Sequence, residues 1–320
     1  MFTHGASTTH RTIFTQRDTT TEPRPSGSGL LRLPAILALA ATLTAQPPLG
    51  QSIYKARCAG CHEQESARIP HVDSLRKMSK ARILRSLDFG AMMTIAYTMA
   101  RADREAVSEY LGAPNVSEAL EKQALCKTAP NVNAAPVWNG WSPADTNTRY
   151  QSKAGITLDN LKRLQLKWAF VHNGDINAFA QPSIVGEVLY TGSASGAVYA
   201  LNAKTGCIHW LFQANGPVRT APRIVGTAAL FADQIGWVYS INTRDGKLNW
   251  KKRVEDHDST RLTAAFAVHN GIAYVPAASW EETRALSNSY ACCTFRGSVS
   301  AVRIKDGHVL WKTYLVDEPK

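Results

Sequence analysis

Five consecutive residues, Cys58-Ala59-Gly60-Cys61-His62, concentrate more chemistry than any other stretch of this 320-residue chain. Two thiols three positions apart fall on one helical turn, where each can form a thioether to a haem vinyl group, and the imidazole that follows can ligate the iron. C-x-x-C-H is the attachment signature of c-type haem. A C-x-x-C pair also serves as half of a zinc site or as a thiol redox pair. Zinc needs a second ligand pair at suitable spacing, and the remaining cysteines, Cys126, Cys207, Cys292 and Cys293, supply none. A thioredoxin-like pair starts a helix after a strand, whereas the polar residues around Ile53 and Tyr54 point to helix on both sides. The motif therefore predicts haem c on Cys58 and Cys61, with His62 as an iron ligand.

Haem held in this way implies export, and an export signal is expected at residues 1–45. Leu33 to Leu43 is a short apolar stretch with Arg24 and Arg32 before it and Thr44, Ala45 and Gln46 after it. The lead-in is long for such a signal, and a start codon set too far upstream would account for it. The stretch is well short of the roughly 20 apolar residues that span a bilayer. The mature chain is thus expected in the periplasm with no transmembrane span, an uncleaved anchor being the alternative. The formal charge is +11, and residues 1–45 hold Arg11, Arg17, Arg24 and Arg32 against Asp18 and Glu22. With no basic stripe or base-stacking module, the positive balance reads as a solvated surface or a rim that steers acidic redox partners, not as a nucleic-acid site.

The elements around the motif are helical. Residues 46–112 form the expected cytochrome c domain, with helices over Ser79–Leu87 and Asp103–Leu111 and Gly112 as the closing cap. So small a domain is marginal alone, and a covalent haem would complete its core. Between the helices, GAMMTIAYTM offers Met92, Met93 and Met99. A thioether is the usual sixth iron ligand opposite His, and Met92, in a loop after Gly90 and Ala91, is the expected one. The other two methionines then pack around the porphyrin.

Residues 113–136 read as a linker, and residues 137–320 as short alternating strands with Gly-rich turns. GAVYALNAKTGCIHW (Gly196–Trp210), GWVYSINTRDGKLNW (Gly236–Trp250) and GSVSAVRIKDGHVLW (Gly297–Trp311) share one skeleton: Gly, alternating apolar residues, a Thr-Gly or Asp-Gly hairpin turn, and a strand ending in Trp. The recurring Trp is a packing wedge between neighbouring units, and Trp168 ends a degenerate earlier one. Such spacing indicates β-propeller blades, about four in the available length. The expected architecture is a small all-α domain followed by an all-β propeller that is incomplete.

These repeats resemble those of pyrroloquinoline quinone (PQQ) dehydrogenases. Trp138–Gln151 (WNGWSPADTNTRYQ), Val218–Ala221 (VRTA), Val254–His257 (VEDH) and Tyr290–Val302 (YACCTFRGSVSAV) resemble the polyvinyl alcohol dehydrogenase family, which also joins a cytochrome c domain to the front of its propeller. The resemblance covers residues 51–320. It implies oxidation of secondary alcohols, polymeric or small, with PQQ and calcium as cofactors and electrons passing singly to haem and on to an external acceptor. In such relatives adjacent cysteines form a disulfide ring against the quinone and an Arg shortly downstream contacts it. Cys292 and Cys293 match the first feature and Arg296 is the candidate for the second, at a different spacing. Pairing of either cysteine with Cys126 or Cys207 is the alternative. Glu281 and Glu282 read as a solvated acidic loop or, less simply, as calcium ligands. Family members are about twice this length and take their catalytic base and most calcium ligands from later blades. No catalytic residue is therefore assigned, and the chain is expected to be an N-terminal part of such an enzyme. The alternative is a haem electron carrier whose propeller binds a protein partner.

Overall fold

The computed structural model describes residues 48–114, 116, 124–172, 175, 177–286, 288 and 290–318. The expected export signal over residues 1–45 lies outside them. No helix among the described residues is long and apolar enough to cross a membrane.

The first part is helical: α1 (Leu49–Arg57), α2 (Ala59–His62), α3 (Val72–Leu75), α4 (Lys80–Asp88), α5 (Met93–Ala96) and α6 (Arg101–Leu111). Ser79 starts α4 by accepting the Arg82 N–H with its hydroxyl, at 3.0 Å. Helices α1 and α6 cross at Gly50, where a Cβ would lie 2.1 Å from the Ala106 carbonyl oxygen. That contact brings the Tyr54 and Tyr110 rings to 5.7 Å. Tyr54, Ile83, Leu87, Val107 and Leu111 form the core with Met99, and Cys58, Ala59 and Met92 pack against it. Each aliphatic side chain so buried is worth about 1.5–3 kcal/mol. Gly112 does follow α6, but at φ −74°. It is required by crowding, since a Cβ there would sit 2.6 Å from the Lys80 Cα.

The remainder is antiparallel sheet. β1 (Pro136–Trp138) is followed by the one-turn helix α7 (Leu158–Leu161) and pairs with β2 (Ser183–Val185) at the edge of a sheet completed by β3 (Val188–Gly192), β4 (Ala197–Asn202) and β5 (Ile208–Gln213). A second sheet contains β6 (Arg223–Val225), β7 (Ala228–Ala232), β8 (Trp237–Asn242) and β9 (Leu248–Arg253). In the third, β10 (Thr260–Arg261) and β11 (Ala267–His269) both pair with β12 (Ile272–Ser279), which is followed by the short helix α8 (Glu281–Arg284), β13 (Ser298–Arg303) and β14 (Val309–Tyr314). Three blades are thus formed among the described residues. The degenerate unit ending in Trp168 forms no sheet of its own.

One contact repeats between blades. A Cβ on Gly206, Gly246 or Gly307 would come within 2.9, 2.8 or 2.6 Å of the ring of Trp168, Trp210 or Trp250, respectively. Each of these glycines has φ between 69° and 76°, in the left-handed region. Each indole N–H donates to the same turn: Trp168 to Ala203 O (3.1 Å), Trp210 to Thr243 O (2.9 Å) and Trp250 to Ile304 O (2.8 Å). The Trp of one repeat is therefore the wedge against the turn of the next. These turns are longer than two-residue hairpins. In the first, Asn202 Oδ1 accepts the N–H groups of Lys204 and Thr205, and Gly206 N–H returns to Asn202 O.

The segment read as a linker is tied to the first blade. Leu125 bridges to Ile208, and Cys126 forms a disulfide with Cys207. Asp233 is fully buried between β7 and β8. It accepts the N–H groups of Gly216, Ile235 and Trp237 and the Tyr239 hydroxyl at 2.7 Å. Burial pushes its carboxyl above the usual range against those hydrogen bonds. Asp233 is thus a joint between blades.

Candidate functional site

The attachment motif occupies the junction of α1 and α2. Cys58 closes α1, and its N–H donates to Tyr54 O. Cys61 lies within α2, and its N–H donates to Cys58 O at 3.1 Å. Both thiols are free. Burial pushes the Cys58 thiol above its ordinary value against the opposing charge of Arg57. It is therefore held in its neutral S–H form, the form that would add across a vinyl double bond.

His62 is buried, and its Nδ1 lies 2.7 Å from Pro70 O. A carbonyl can only accept, so Nδ1 carries a proton and Nε2 is the nitrogen left to bind a metal. Among the described residues Nε2 has no hydrogen-bond partner. The loop opposite is pinned by Arg104, which donates to Asp88 Oδ1 at 2.6 Å and to Met99 O at 2.7 Å, and by Arg57, which donates to the Thr98 hydroxyl. The three methionines of this loop differ in placement. Met93 is at the surface, Met99 is in the core, and Met92 caps α5 half-buried against the same core that Cys58 and Ala59 pack on. Met92 thus lies in the turn that immediately precedes the short helix α5. Two free thiols, an imidazole oriented through Nδ1 and an apolar wall with thioethers fit a covalent haem.

The second constellation lies in the third blade. Cys292 and Cys293 form a vicinal disulfide at the surface, on the loop between α8 and β13. Glu281, the first residue of α8, anchors this loop. Its Oε1 accepts the Thr294 N–H (2.8 Å) and the Tyr290 hydroxyl (2.7 Å), and its Oε2 accepts the Phe295 N–H (3.0 Å). Glu281 is only 4% exposed, which corrects its reading as part of a solvated acidic loop. Burial alone would raise its carboxyl, but the three hydrogen bonds hold it below the usual range.

Beside the loop lies an open cleft of about 480 Å³ lined by Asp256, His257, Asp258, Arg284, Tyr290 and Thr294. His257 Nδ1 accepts the Ser259 N–H, so Nε2 carries the proton and donates to the Thr294 hydroxyl at 3.0 Å. The Arg284 guanidinium lies 4.3 Å over the Tyr290 ring and donates to the Ser259 hydroxyl. Arg296 is turned to β14, stacked at 4.0 Å on Tyr314 and donating to Val316 O. Arg284 is the cation of this cleft, opposed there by the carboxylates of Asp256 and Asp258, and the disulfide lies beside the cleft and not in its lining. No group of three or more His, Cys, Asp or Glu among the described residues is arranged to hold a metal ion. His257, Tyr290 and Thr294 lie inside motifs legible in the sequence, but their convergence on Glu281 depends on a loop reversal that no spacing encodes.

A family model described as outer membrane protein assembly factor BamB matches residues 158–320, and one described as cytochrome C oxidase, cbb3-type, subunit III matches residues 45–111. Polyvinylalcohol dehydrogenase of Sphingopyxis sp. (strain 113P3) is 34% identical over 84% of this chain and 45% of its own length. The protein of the same name from Pseudomonas sp is 32% identical over 88% of this chain and 48% of its own. The chain thus spans about half the length of these relatives. Among solved structures, quinohemoprotein alcohol dehydrogenase from Comamonas testosteroni aligns with a TM-score of 0.48 at 20% identity, over 55% of this chain and 27% of that one. With Trp-ended PQQ-type repeats behind a cytochrome c-type module, the chain belongs to the PQQ-repeat propeller family described by BamB, and within it resembles the polyvinyl alcohol dehydrogenases.

Proposed function

We propose that this chain is the haem-bearing N-terminal part of a periplasmic quinohaemoprotein alcohol dehydrogenase. It would act on secondary hydroxyl groups such as those of polyvinyl alcohol and hand electrons to an external acceptor. The observation that carries the reading is the presence in one chain of the oriented Cys58, Cys61 and His62 set and of the Cys292–Cys293 disulfide within PQQ-type repeats.

Bound PQQ supplies a two-electron acceptor for an alcohol, and haem supplies a one-electron store. The chain's own residues would hold these groups. Cys58 and Cys61 would tether the haem, and His62 Nε2 and the Met92 thioether would supply protein ligands to its iron. The Cys292–Cys293 ring would lie against the quinone plane, with Arg284 placed to face an anionic edge. Arg296 would join that contact by leaving Tyr314. Glu281 fixes the height of the disulfide loop by holding the N–H groups of Thr294 and Phe295.

The test is expression in a periplasm with haem maturation, addition of PQQ and calcium, and dye reduction with polyvinyl alcohol or a simple secondary alcohol. Alcohol-dependent turnover supports the dehydrogenase. A soluble holo-cytochrome with no bound quinone and no turnover would leave this chain as an electron carrier with a partner-binding propeller. For the iron, Met92→Ala should change the haem spectrum with the haem still attached; the same change from Met93→Ala would overturn the choice of ligand.

A further inference from the structure

The helical module meets the third blade at an aromatic contact that none of the chemistry above uses. Tyr97 follows α5 in the loop that holds Met92, and its ring meets Trp280 edge-on, with centroids 6.0 Å apart and planes at 90°. The Arg261 guanidinium lies 3.9 Å over the same indole. Trp280 precedes Glu281, and its N–H donates to Ser259 O at 3.1 Å. Its indole N–H is buried without a partner among the described residues. The indole is therefore held by its faces and edges, which suits a docking contact more than a polar anchor.

The position of this contact gives it meaning. On one side, Tyr97 is five residues from Met92, in the loop pinned by Arg57 and Arg104. On the other, Trp280 adjoins the carboxylate that accepts Thr294 N–H and Phe295 N–H, the residues directly after Cys292–Cys293. We propose that Trp280, clamped between Tyr97 and Arg261, is the docking residue that seats the haem module against the third blade and sets its distance from the disulfide loop. The docking claim stands on this geometry alone. Its use in electron transfer rests on the dehydrogenase reading.

Hydroxyl-radical footprinting of the holo-protein, read by mass spectrometry at Tyr97 and Trp280, tests the docking without any quinone. Tyr97→Ala should raise oxidation of Trp280 severalfold, and Trp280→Ala should raise that of Tyr97. Trp280→Phe, which keeps an aromatic face, should restore most of the protection of Tyr97. Unchanged footprints in both Ala variants would overturn the docking, and the Tyr97 variant does so even if Trp280→Ala misfolds.

A second arm uses the chain loaded with PQQ and calcium. Alcohol-driven haem reduction is followed at the haem band, beside reduction of a dye that draws electrons from the quinone directly. Trp280→Ala should slow haem reduction by about tenfold or more, as a small misplacement of reacting groups does, and leave dye reduction and haem attachment unchanged. Equal loss in both assays would overturn the positioning role. Footprints that change in the Ala variants, in a chain whose wild type reduces neither haem nor dye, would support the docking and sink the dehydrogenase reading instead.

Discussion

Gly50 in the helical module and Gly246 in the second blade are both glycines pressed against a neighbour, yet they belong to two different kinds of core. At Gly50 two helices of one small module pack together, and Cys58 and Ala59 of the C-x-x-C-H motif and Met92 pack against the core beside them. At Gly246 a turn receives Trp210 of the preceding blade, as Gly206 receives Trp168 and Gly307 receives Trp250. A module of about 60 residues buries too little surface to be robust alone, so a covalent cofactor would double as core. Blades instead add one interface at a time, which makes their stability more nearly a sum of local terms. Damage to the first region should be all-or-none in cofactor, and damage to the second graded and local.

The strongest way to break this contrast is Cys61→Ala. Loss of one thioether should reduce covalent haem about tenfold or more, read as haem-dependent peroxidase stain on a denaturing gel, because attachment needs both thiols of the motif. Full staining would mean that the helical core forms independently of the pair. Next in size is Gly246→Ala. A left-handed Ala costs about 1–2 kcal/mol, and the Trp210 ring, 2.8 Å from the new Cβ, must also move. A total loss of about 2–4 kcal/mol in urea unfolding is expected, with haem attachment untouched. A joint loss of haem would show that the two regions do not respond separately.

Glu281→Gln sharpens the comparison within the third blade. The native carboxylate lies below its unfolded value, so its contribution is present above the ordinary carboxylate range and disappears as pH falls through the folded value. The variant should cost about 1–3 kcal/mol at pH 7 and flatten the acid limb of the stability profile. An unchanged acid limb would remove Glu281 as the anchor of the disulfide loop. Tyr239→Phe is the smallest effect, about 1 kcal/mol, since Asp233 keeps three backbone donors when the hydroxyl is lost. It should leave haem, disulfides and the Tyr290–Phe295 loop unaltered in a peptide map and absorption spectrum.

Much of this molecule is decided by spacing along the chain. Cys58, Cys61 and His62 share one turn because i, i+3 and i+4 positions coincide on a helix, so the attachment site is legible before any fold is known. The blades are equally local. Alternating apolar residues, a Gly-containing turn and a terminal Trp recur in register, and β3–β5, β7–β9 and β12–β14 follow from them. What spacing cannot encode is a contact between residues whose separation is set by loops. Glu281 reads as a solvated acid in sequence and is buried in structure, because three donors from residues 290–295 fold back onto it. Cys126 reads as part of a linker and is bonded to Cys207. Trp280 meets Tyr97 from far away in the chain, with no motif shared between them. Local repeats fix backbone hydrogen bonds and one buried face, and sequence carries both. Burial of a lone carboxylate or the pairing of two rings depends on which loops close over them, and that only the tertiary structure decided.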